Sequence, residues 1–253
     1  MKLIRDTYLL FGRNLLVSLR NPVWIILGVF QPILYLLLFA PLLDQLTGSP
    51  GFEGENALTT FAPGLFVITA LYSSAFVGFG LLEDLRAGVI ERLRVTPASR
   101  FSLLLGPVLR DVLVLLIQTA VLIVVSALMG LRISLGGIVL LFGLMALIGI
   151  MMTALSYGLA LTVRDENSLA ATLNTITLPV MLLSGVLLPL ALAPDILRTL
   201  AAVNPFSHAV DAARALVNGD LGDAAVPGGF ILIAVLAMLA LWWAKELFRK
   251  AAA

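Results

Sequence analysis

The densest group of charged residues is the segment 83–100, which reads EDLRAGVIERLRVTPASR and lies between two apolar stretches. Within it, residues 91–95 have room for one or two helical turns before Pro97, because the residue that precedes a proline is biased away from the helical conformation. A short helix with both signs of charge can dock on a soluble partner by electrostatic complementarity. The same residues also fit a solvated connector that only fixes the membrane topology, and the composition favours neither interpretation.

Residues that could catalyse a reaction are few. The three lysines are Lys2, Lys245 and Lys250, and none follows a glycine as the lysine of a Gly-x-x-x-x-Gly-Lys-Ser/Thr phosphate loop does. There is no cysteine, the lone histidine is His208, and Ser184 lacks the Gly-x-Ser-x-Gly setting of a serine nucleophile. The sequence therefore predicts that this chain is not an enzyme and that it holds no metal or cofactor of its own.

Two adjacent ionisable residues, Arg110 and Asp111, interrupt a long apolar run that begins near Phe101. A helix from Phe101 would place them roughly 14 Å along its axis, and ionisable groups inside a membrane are usually paired or functional. One interpretation is an internal charge pair that holds a cytoplasmic gate. The other, which we favour from the sequence, is that the helix begins in the cytosol, because residues 112–131 alone are long enough to cross the bilayer.

The composition indicates that water is not the main solvent of this chain. Of its 253 residues, 60% are apolar and 12% are charged, whereas soluble domains are about half apolar and about a quarter charged. The apolar residues form long runs without the alternation of a membrane β-barrel, so each run is expected to be a helix that satisfies its own backbone hydrogen bonds. The net charge of +1, with basic residues scattered along the chain, argues against a nucleic-acid partner.

The expected fold is an all-α membrane protein that forms a single transmembrane domain over residues 1–253. Six spans are predicted, each long enough for a hydrocarbon core of about 30 Å. They are residues 23–43, 61–82, 101–129, 136–163, 169–190 and 228–244.

Residues 1–21 are predicted to form an amphipathic helix on the membrane surface, with its basic face on lipid headgroups or on a partner. At helical spacing the apolar face consists of Ile4, Tyr8, Phe11, Leu15 and Leu19. The opposite, polar face consists of Lys2, Asp6, Arg13 and Arg20.

The basic residues give the orientation of the bundle. Thirteen of the sixteen lysines and arginines belong to the N-terminus, the 83–100 segment, the start of the third span, the 164–168 turn and the C-terminus. The other three are Arg132, Arg198 and Arg214. Because loops rich in Lys and Arg stay in the cytoplasm, both termini are predicted to be cytoplasmic.

The segment 191–227 is too polar to span the membrane and too apolar to be a solvated loop. Its helical spacing is interrupted at Asn204-Pro205. It is therefore predicted to form two short extracytoplasmic helices that re-enter the outer leaflet against the bundle.

Polar but uncharged side chains also occur at predicted membrane depth. They are Gln31, Tyr35, Gln118, Thr153, Ser156, Tyr157, Asn174, Thr175 and Thr177. Such groups commonly bond neighbouring helices to each other. Together with nearby phenylalanines they could instead line a path for a large apolar cargo, and the residues predicted to line such a path are Gln31, Tyr35, Gln118 and Asn174.

Two stretches resemble the membrane subunits of type-2 ABC exporters, in the branch of the daunorubicin-resistance permeases. Residues 91–100, ERLRVTPASR, look like that family's Glu-x-Leu-Arg-x-Thr-Pro-x-x-Arg loop between the second and third spans. Residues 183–189, LSGVLLP, with Pro194, Asn204-Pro205 and Arg214 after them, are similar to its closing signature of Ser-Gly, Pro, Pro, Asn-Pro and Arg. With the amphipathic helix and the six spans, the resemblance covers nearly the whole chain.

The resemblance implies that residues 83–100 contain a coupling helix, seated on a separate ATP-binding cassette ATPase subunit that holds ATP and Mg. The coupling residues would be Glu91, Arg92 and Arg94. Asp165 and Glu166 would form a second, smaller contact, although a solvated tight turn explains them nearly as well.

The remaining implications concern the assembly and the transport path. The family pairs two permeases, identical or closely related, in the lipid of a bacterial cytoplasmic membrane. A hydrophobic or amphipathic small molecule would pass outward between the two permeases. The residues assigned to the gate or to the re-entrant helices are Arg110, Asp111, Asn204 and Pro205.

Three other functions compete with this one. A permease for polysaccharide or teichoic-acid precursors has a similar topology but a wider polar channel, which the modest polarity of these spans disfavours. An ion channel or proton-coupled transporter needs intramembrane carboxylates or an arginine series, and five of the six predicted spans have none. A purely structural membrane scaffold would be indicated if no ATPase bound to the chain.

Overall fold

The computed structural model describes residues 2–20, 23–44, 57–89, 92, 99–186 and 194–251. These residues form helices joined by turns, and the described ranges contain no strand, which confirms the all-α prediction. In chain order the helices are α1 Lys2–Arg20, α2 Val23–Asp44, α3 Ala57–Ala75, α4 Gly78–Arg86, α5 Arg100–Leu128, α6 Leu135–Val163, α7 Glu166–Leu182, α8 Asp195–Val203, α9 Pro205–Asn218 and α10 Ala225–Ala251.

Within the described ranges, four helical stretches are long and apolar enough to cross a membrane, so the chain is a multi-pass membrane protein as predicted. They are Leu58–Arg86, Phe101–Leu128, Leu135–Val163 and Ala225–Lys250. A shorter apolar helix, Ile26–Phe39, lies within α2. The count of six spans stays a prediction, because α7 ends at Leu182 and the last residues of the predicted fifth span, 187–190, lie outside the described ranges.

Local capping interactions fix where the helices around α6 begin and end. The Ser134 hydroxyl accepts a hydrogen bond from the Gly137 N–H (3.1 Å) at the start of α6. The Asp165 carboxylate accepts one from the Ser168 N–H (2.8 Å) at the start of α7. Between them, Arg164 ends α6 in the left-handed conformation, with φ 55°. Because capped ends satisfy the free N–H groups of a helix, two helices can follow each other across this short turn.

The helix α6 lies at the centre of the bundle and contacts α3, α4, α5, α9 and α10. Side chains such as Leu144 and Met145 are fully buried in it. Gly158 faces the ring of Trp243 on α10 so closely that a Cβ at this position would overlap the ring. Small residues at such contacts allow membrane helices to approach each other closely, which is how α10 packs along α6.

The last helix is longer than predicted. It runs over Ala225–Ala251 rather than residues 228–244, so it continues beyond Trp242 and Trp243 to include Arg249 and Lys250. Cationic side chains near the C-terminal end of a helix interact favourably with its dipole and its free carbonyls, which explains why the helix does not end at the tryptophan pair.

The predicted second span is two helices, α3 and α4, that meet at Phe76-Val77. The Ser156 hydroxyl of α6 donates a hydrogen bond to the Ala75 carbonyl and accepts one from the Gly78 N–H (2.9 Å). A break in a membrane helix leaves backbone groups without partners, and each such group is costly in an apolar environment. The Ser156 side chain supplies both partners, so this break is built into the packing of α6.

The helix α1 packs against the first turns of α5. Leu10 lies against Gly106, where a Cβ would be 2.6 Å from the Leu10 Cβ. On the apolar face of α1, Ile4, Tyr8 and Leu19 are exposed, Ile4 to 75%, whereas Phe11 and Leu15 are half-buried. Asp6 lies opposite these exposed side chains, as predicted, but at this residue the polar side of α1 faces the bundle. Asp6 is buried, and its carboxylate accepts a hydrogen bond from the Ser99 N–H (3.2 Å) at the start of α5.

Candidate functional site

The predicted coupling segment is described only in part. Glu91 and Arg94 lie outside the described residues. Arg92 is exposed, and its guanidinium donates a hydrogen bond to the Ala87 carbonyl (3.3 Å). Its role as a contact for a partner stays a prediction.

The second predicted contact, Asp165 and Glu166, divides into two roles. Asp165 caps α7, and the backbone hydrogen bond from Ser168 holds the pKa of its carboxyl below the usual range. Glu166 forms an ion pair with Arg86 at the end of α4 (2.7 Å), and both side chains are about half exposed. The pair joins α4 to α7, and both charges stay accessible to solvent. Its contribution to stability is small, because exposed ion pairs contribute little.

Arg86 was not among the residues predicted from the sequence as contacts. It stands in the segment 83–100 but is separated from Glu166 by 80 positions along the chain. The only signal in the sequence was that both residues fall on the side of the membrane predicted to be cytoplasmic.

Arg110 and Asp111 form an ion pair in the bundle, with Arg110 Nε 2.7 Å from Asp111 Oδ1. This is an ion-pair contact only, because the Arg110 Nε–H does not point at the oxygen with the geometry of a hydrogen bond. The Asp111 side chain is only 6% exposed and that of Arg110 24%. The structure thus shows a charge pair that is held inside the helix bundle. The depth of this pair in the membrane and its action as a gate stay predictions.

Two further hydrogen bonds extend this pair to α6 and α1. The Tyr157 hydroxyl of α6 donates to Asp111 Oδ2 (2.6 Å), and Arg110 Nη1 donates to the Ser18 hydroxyl of α1 (2.8 Å). We call Ser18, Arg110, Asp111 and Tyr157 the buried relay. A charged pair inside a membrane protein is stable when its remaining donors and acceptors are satisfied. In the relay, Oδ2 of Asp111 accepts a hydrogen bond and Oδ1 contacts the guanidinium as an ion pair.

Tyr157 was predicted only as one of several polar groups at membrane depth. It is almost completely buried, and buried tyrosines usually bond through the hydroxyl. That rule predicts that the hydroxyl has a partner but does not identify it. Identifying Asp111 as the partner requires knowing how α6 packs on α5.

The residues predicted to line a substrate path are not brought together as one group. Gln31 donates to the Tyr35 hydroxyl one turn away on α2 (3.1 Å), on an exposed surface. Gln118 is buried against Gly28 of α2, and its Oε1 has no hydrogen-bond partner in the described part of the chain. Asn174 is exposed on α7 and bonds within its own helix. Gln31, Tyr35 and Gln118 thus lie on or against α2, whereas Asn174 does not.

The predicted interruption at Asn204-Pro205 separates α8 from α9. The Asn204 side-chain oxygen accepts a hydrogen bond from the Phe206 N–H (3.0 Å), and its amide nitrogen donates to the Val180 carbonyl of α7 (2.7 Å). Pro205 occupies the first position of α9, where the missing N–H costs nothing. Asn204 therefore both starts α9 and attaches it to α7. The place of α8 and α9 in the outer leaflet stays a prediction.

Arg214 attaches the other side of α9 and was not predicted to do so. Its guanidinium donates to the Gly185 carbonyl after α7 (2.7 Å) and to the Thr60 carbonyl of α3 (3.4 Å). It also lies 3.5 Å from Asp211. Because guanidinium is a planar group with five donors, one side chain can join three segments here.

Replacing Asn204 by alanine is expected to lower the free energy of unfolding by about 2 kcal/mol, because it removes the helix cap and leaves the Val180 carbonyl without a donor. Asn204→Asp keeps the cap but sets an acceptor against that carbonyl, so it should destabilise as well. The measurement is unfolding of the purified protein in mixed micelles, followed by tryptophan fluorescence. Asn167→Ala, at an exposed position in the first turn of α7, is the control and should have little effect; equal effects would show that Asn204 does not attach α9.

Comparison with known proteins gives one family for this chain. A sequence model of the family described as ABC-2 type transporter matches residues 5–218. The chain is 28% identical over 217 residues to a protein of Cyanophora paradoxa described as a transport permease, ycf38, which covers 85% of this chain and 75% of that protein. It is 26% identical over 204 residues to the daunorubicin resistance ABC transporter permease protein DrrB1 of Streptomyces coeruleorubidus, with 79% and 71% covered. The matched region extends from the first turns of α1 to the end of α9.

Proposed function

Since the chain belongs to the ABC-2 type transporter family, we propose that it is the membrane-spanning subunit of an exporter that moves a hydrophobic or amphipathic compound out of the cytoplasm. A separate ATP-binding cassette ATPase, which holds ATP and Mg, drives the transport. Two such permeases, identical or closely related, form the path in the cytoplasmic membrane of a bacterium, with both termini in the cytoplasm.

The observation that carries this proposal is the extent of the family match. Residues 5–218 include the amphipathic helix, the predicted coupling segment and the helix pair around Asn204. A match limited to isolated apolar helices would support only the conclusion that the chain is a membrane protein, because any membrane helix bundle has such helices. The sequence contains no phosphate-binding Gly-Lys loop, which fits a subunit that receives its energy from a partner.

The arrangement at the predicted cytoplasmic end supports a docking surface there. The pair Arg86–Glu166 brings the end of α4 beside the start of α7, so residues 83–89, the described first part of the predicted coupling segment, lie beside the 164–168 turn. Both carry exposed charges, and electrostatic complementarity at such a surface gives specificity for a partner. A partner that pushes on this surface would act on α4 and α7 together.

The proposed cargo class rests on the surface of α2 and on one relative. Phe30, Leu34 and Phe39 are exposed on α2 together with the Gln31 amide. Apolar rings with an occasional amide suit a cargo that is mostly apolar with some polar groups, because such contacts are weak and adaptable. The relative DrrB1 is described as a daunorubicin resistance permease, which is compatible with a drug-like compound.

The test is ATP hydrolysis by the candidate ATPase, purified alone and together with this chain in lipid vesicles. We expect a complex whose hydrolysis rate changes when the chain is present. The double variant Glu91→Ala with Arg94→Ala should reduce that response by about thirtyfold, since each truncated charge at the centre of an interface costs about 1 kcal/mol and about 1.4 kcal/mol corresponds to tenfold.

The matched control is Arg132→Ala, which removes an exposed arginine from the side predicted to be extracytoplasmic and should leave the response unchanged. If no complex forms with the ATPase, the exporter proposal is wrong. If the complex forms and the double variant responds like the unmodified chain, the family role stands and the contact lies outside residues 91–94.

A further inference from the structure

Three consecutive residues of α6 contact different neighbours. Ser156 bonds the break between α3 and α4, Tyr157 bonds Asp111 of α5, and Gly158 receives the Trp243 ring of α10. Of these contacts, only the one at Tyr157 continues further, because Asp111 is paired with Arg110 and Arg110 bonds the Ser18 hydroxyl. The buried relay therefore leads from the centre of the bundle to α1, with which Tyr157 has no direct hydrogen bond.

In the buried relay, each side chain is held in place by the next one along it. Arg110 has a long side chain, and fixing a long side chain costs conformational entropy unless another group holds it. Asp111 holds the Nε end of that guanidinium, and Tyr157 holds the other oxygen of Asp111. Tyr157 is only 2% exposed, so its hydroxyl is a fixed donor inside the bundle. The orientation of Arg110 thus depends on a group on α6.

The two halves of α1 are held in different ways. The first half is attached by the bond between Asp6 and Ser99 and by the packing of Leu10 on Gly106. In the second half, the described hydrogen bond to α5 is the one from Arg110 to Ser18. Leu16, Val17 and Leu19 of this half are exposed and Leu15 is half-buried, so most of its apolar side chains do not pack on the bundle. The second half, which leads towards α2, therefore depends most on the relay.

We infer that Tyr157 is a positioning residue for α1: its hydroxyl orients Asp111 and Arg110 so that Arg110 fixes the second half of α1 to the bundle. The position of the helix follows from the described contacts alone. The use of that position, to pass a movement between α1 and α6 during transport, rests on the proposed function.

The test is hydrogen–deuterium exchange of the full chain in lipid nanodiscs, with Tyr157→Phe compared to the unmodified protein. Phenylalanine fills the same space and removes only the hydroxyl. Backbone amides of residues 12–20 should exchange about tenfold faster, as expected for loss of a charge-assisted hydrogen bond. Amides of residues 3–10 should be unchanged, since Asp6 and Leu10 still hold them, and this difference within one helix excludes a general loss of stability.

A second variant tests whether the contacts act in series. Ser18→Ala removes the last bond of the relay and should produce the same exchange increase. When Ser18 is already alanine, Tyr157→Phe should add nothing in residues 12–20. Thr153→Val, one turn away on α6, removes a buried hydroxyl without a hydrogen-bond partner among the described residues and serves as the matched control.

Three results would overturn the inference. They are an exchange increase confined to α5 and α6, an equal increase in both halves of α1, and additive effects of Tyr157→Phe and Ser18→Ala. These outcomes require neither the ATPase nor a cargo. They therefore distinguish a failure of the positioning role from a failure of the proposed function, which the absence of an ATPase complex would show.

Discussion

Replacing Asp111 by alanine is expected to lower the free energy of unfolding by about 3 kcal/mol, because removing one partner of a buried ion pair leaves the other charge without compensation. The Arg110 guanidinium would keep its bond to Ser18 but lose the carboxylate 2.7 Å from its Nε. The Tyr157 hydroxyl would lose its acceptor at the same time. The effect is measured by unfolding in mixed micelles, with the three tryptophans of the chain as the fluorescence signal.

Two variants set the scale for this result. Asp111→Asn keeps an oxygen for Tyr157 and removes only the charge, so its effect should lie between those of the unmodified protein and Asp111→Ala. Asp195→Ala removes an exposed carboxylate that lies 3.7 Å from Arg198 and should leave the unfolding midpoint nearly unchanged, because exposed pairs contribute little. If Asp111→Ala behaved like Asp195→Ala, the pair would be solvated rather than internal.

Gly78→Ala is expected to destabilise the protein by about 3 kcal/mol, at the upper end of what overpacking costs. A Cβ at Gly78 would lie 2.7 Å from both the carbonyl oxygen and the hydroxyl oxygen of Ser156. The carbonyl belongs to the backbone of α6 and cannot rotate away. The α3–α4 break would have to open, and the bond from the Gly78 N–H to Ser156 would weaken with it.

The matched control is Gly80→Ala, two residues further along α4, where nothing lies within 4 Å of a Cβ. Alanine is the better helix former, so this variant should be neutral or slightly more stable. The comparison uses the same substitution in the same helix and measures the unfolding midpoint of both proteins. Equal midpoints for the two variants would show that Ser156 does not fix the break.

The helices of the bundle were largely predictable because the hydrocarbon solvent selects long apolar runs. Predicted spans at 101–129 and 136–163 correspond to α5 Arg100–Leu128 and α6 Leu135–Val163, since both runs end at polar turn residues. The break between α3 and α4 was not predictable. It depends on the hydroxyl of Ser156, about eighty positions away in the chain, and an apolar run by itself does not show which groups of another helix face it.

The same limit applies to the candidate site. The unusual residues could be identified from the sequence, because a neighbouring Arg110 and Asp111 are conspicuous among apolar side chains. Their partners Tyr157 and Ser18 could not, since these depend on the rotation of α6 and of α1 against α5. Asp6 is a similar case: helical periodicity correctly set it apart from Ile4 and Tyr8, but its partner, the free N–H of Ser99 at the start of α5, depends on the packing of α1 on α5.

The contact of Trp243 with Gly158 joins the last helix of the chain to the centre of the bundle, so it forms only after α10 has been synthesised. The helix α10 leaves the ribosome after α6 and α9, and it covers both of them. Gly229 of α10 fits against Ala212 and the His208 carbonyl of α9, while Trp243 fills the space at Gly158. A chain that ends after α9 would lack the groups that fill both contacts, so we expect α6 and α9 to be less closely packed in it than in the full chain.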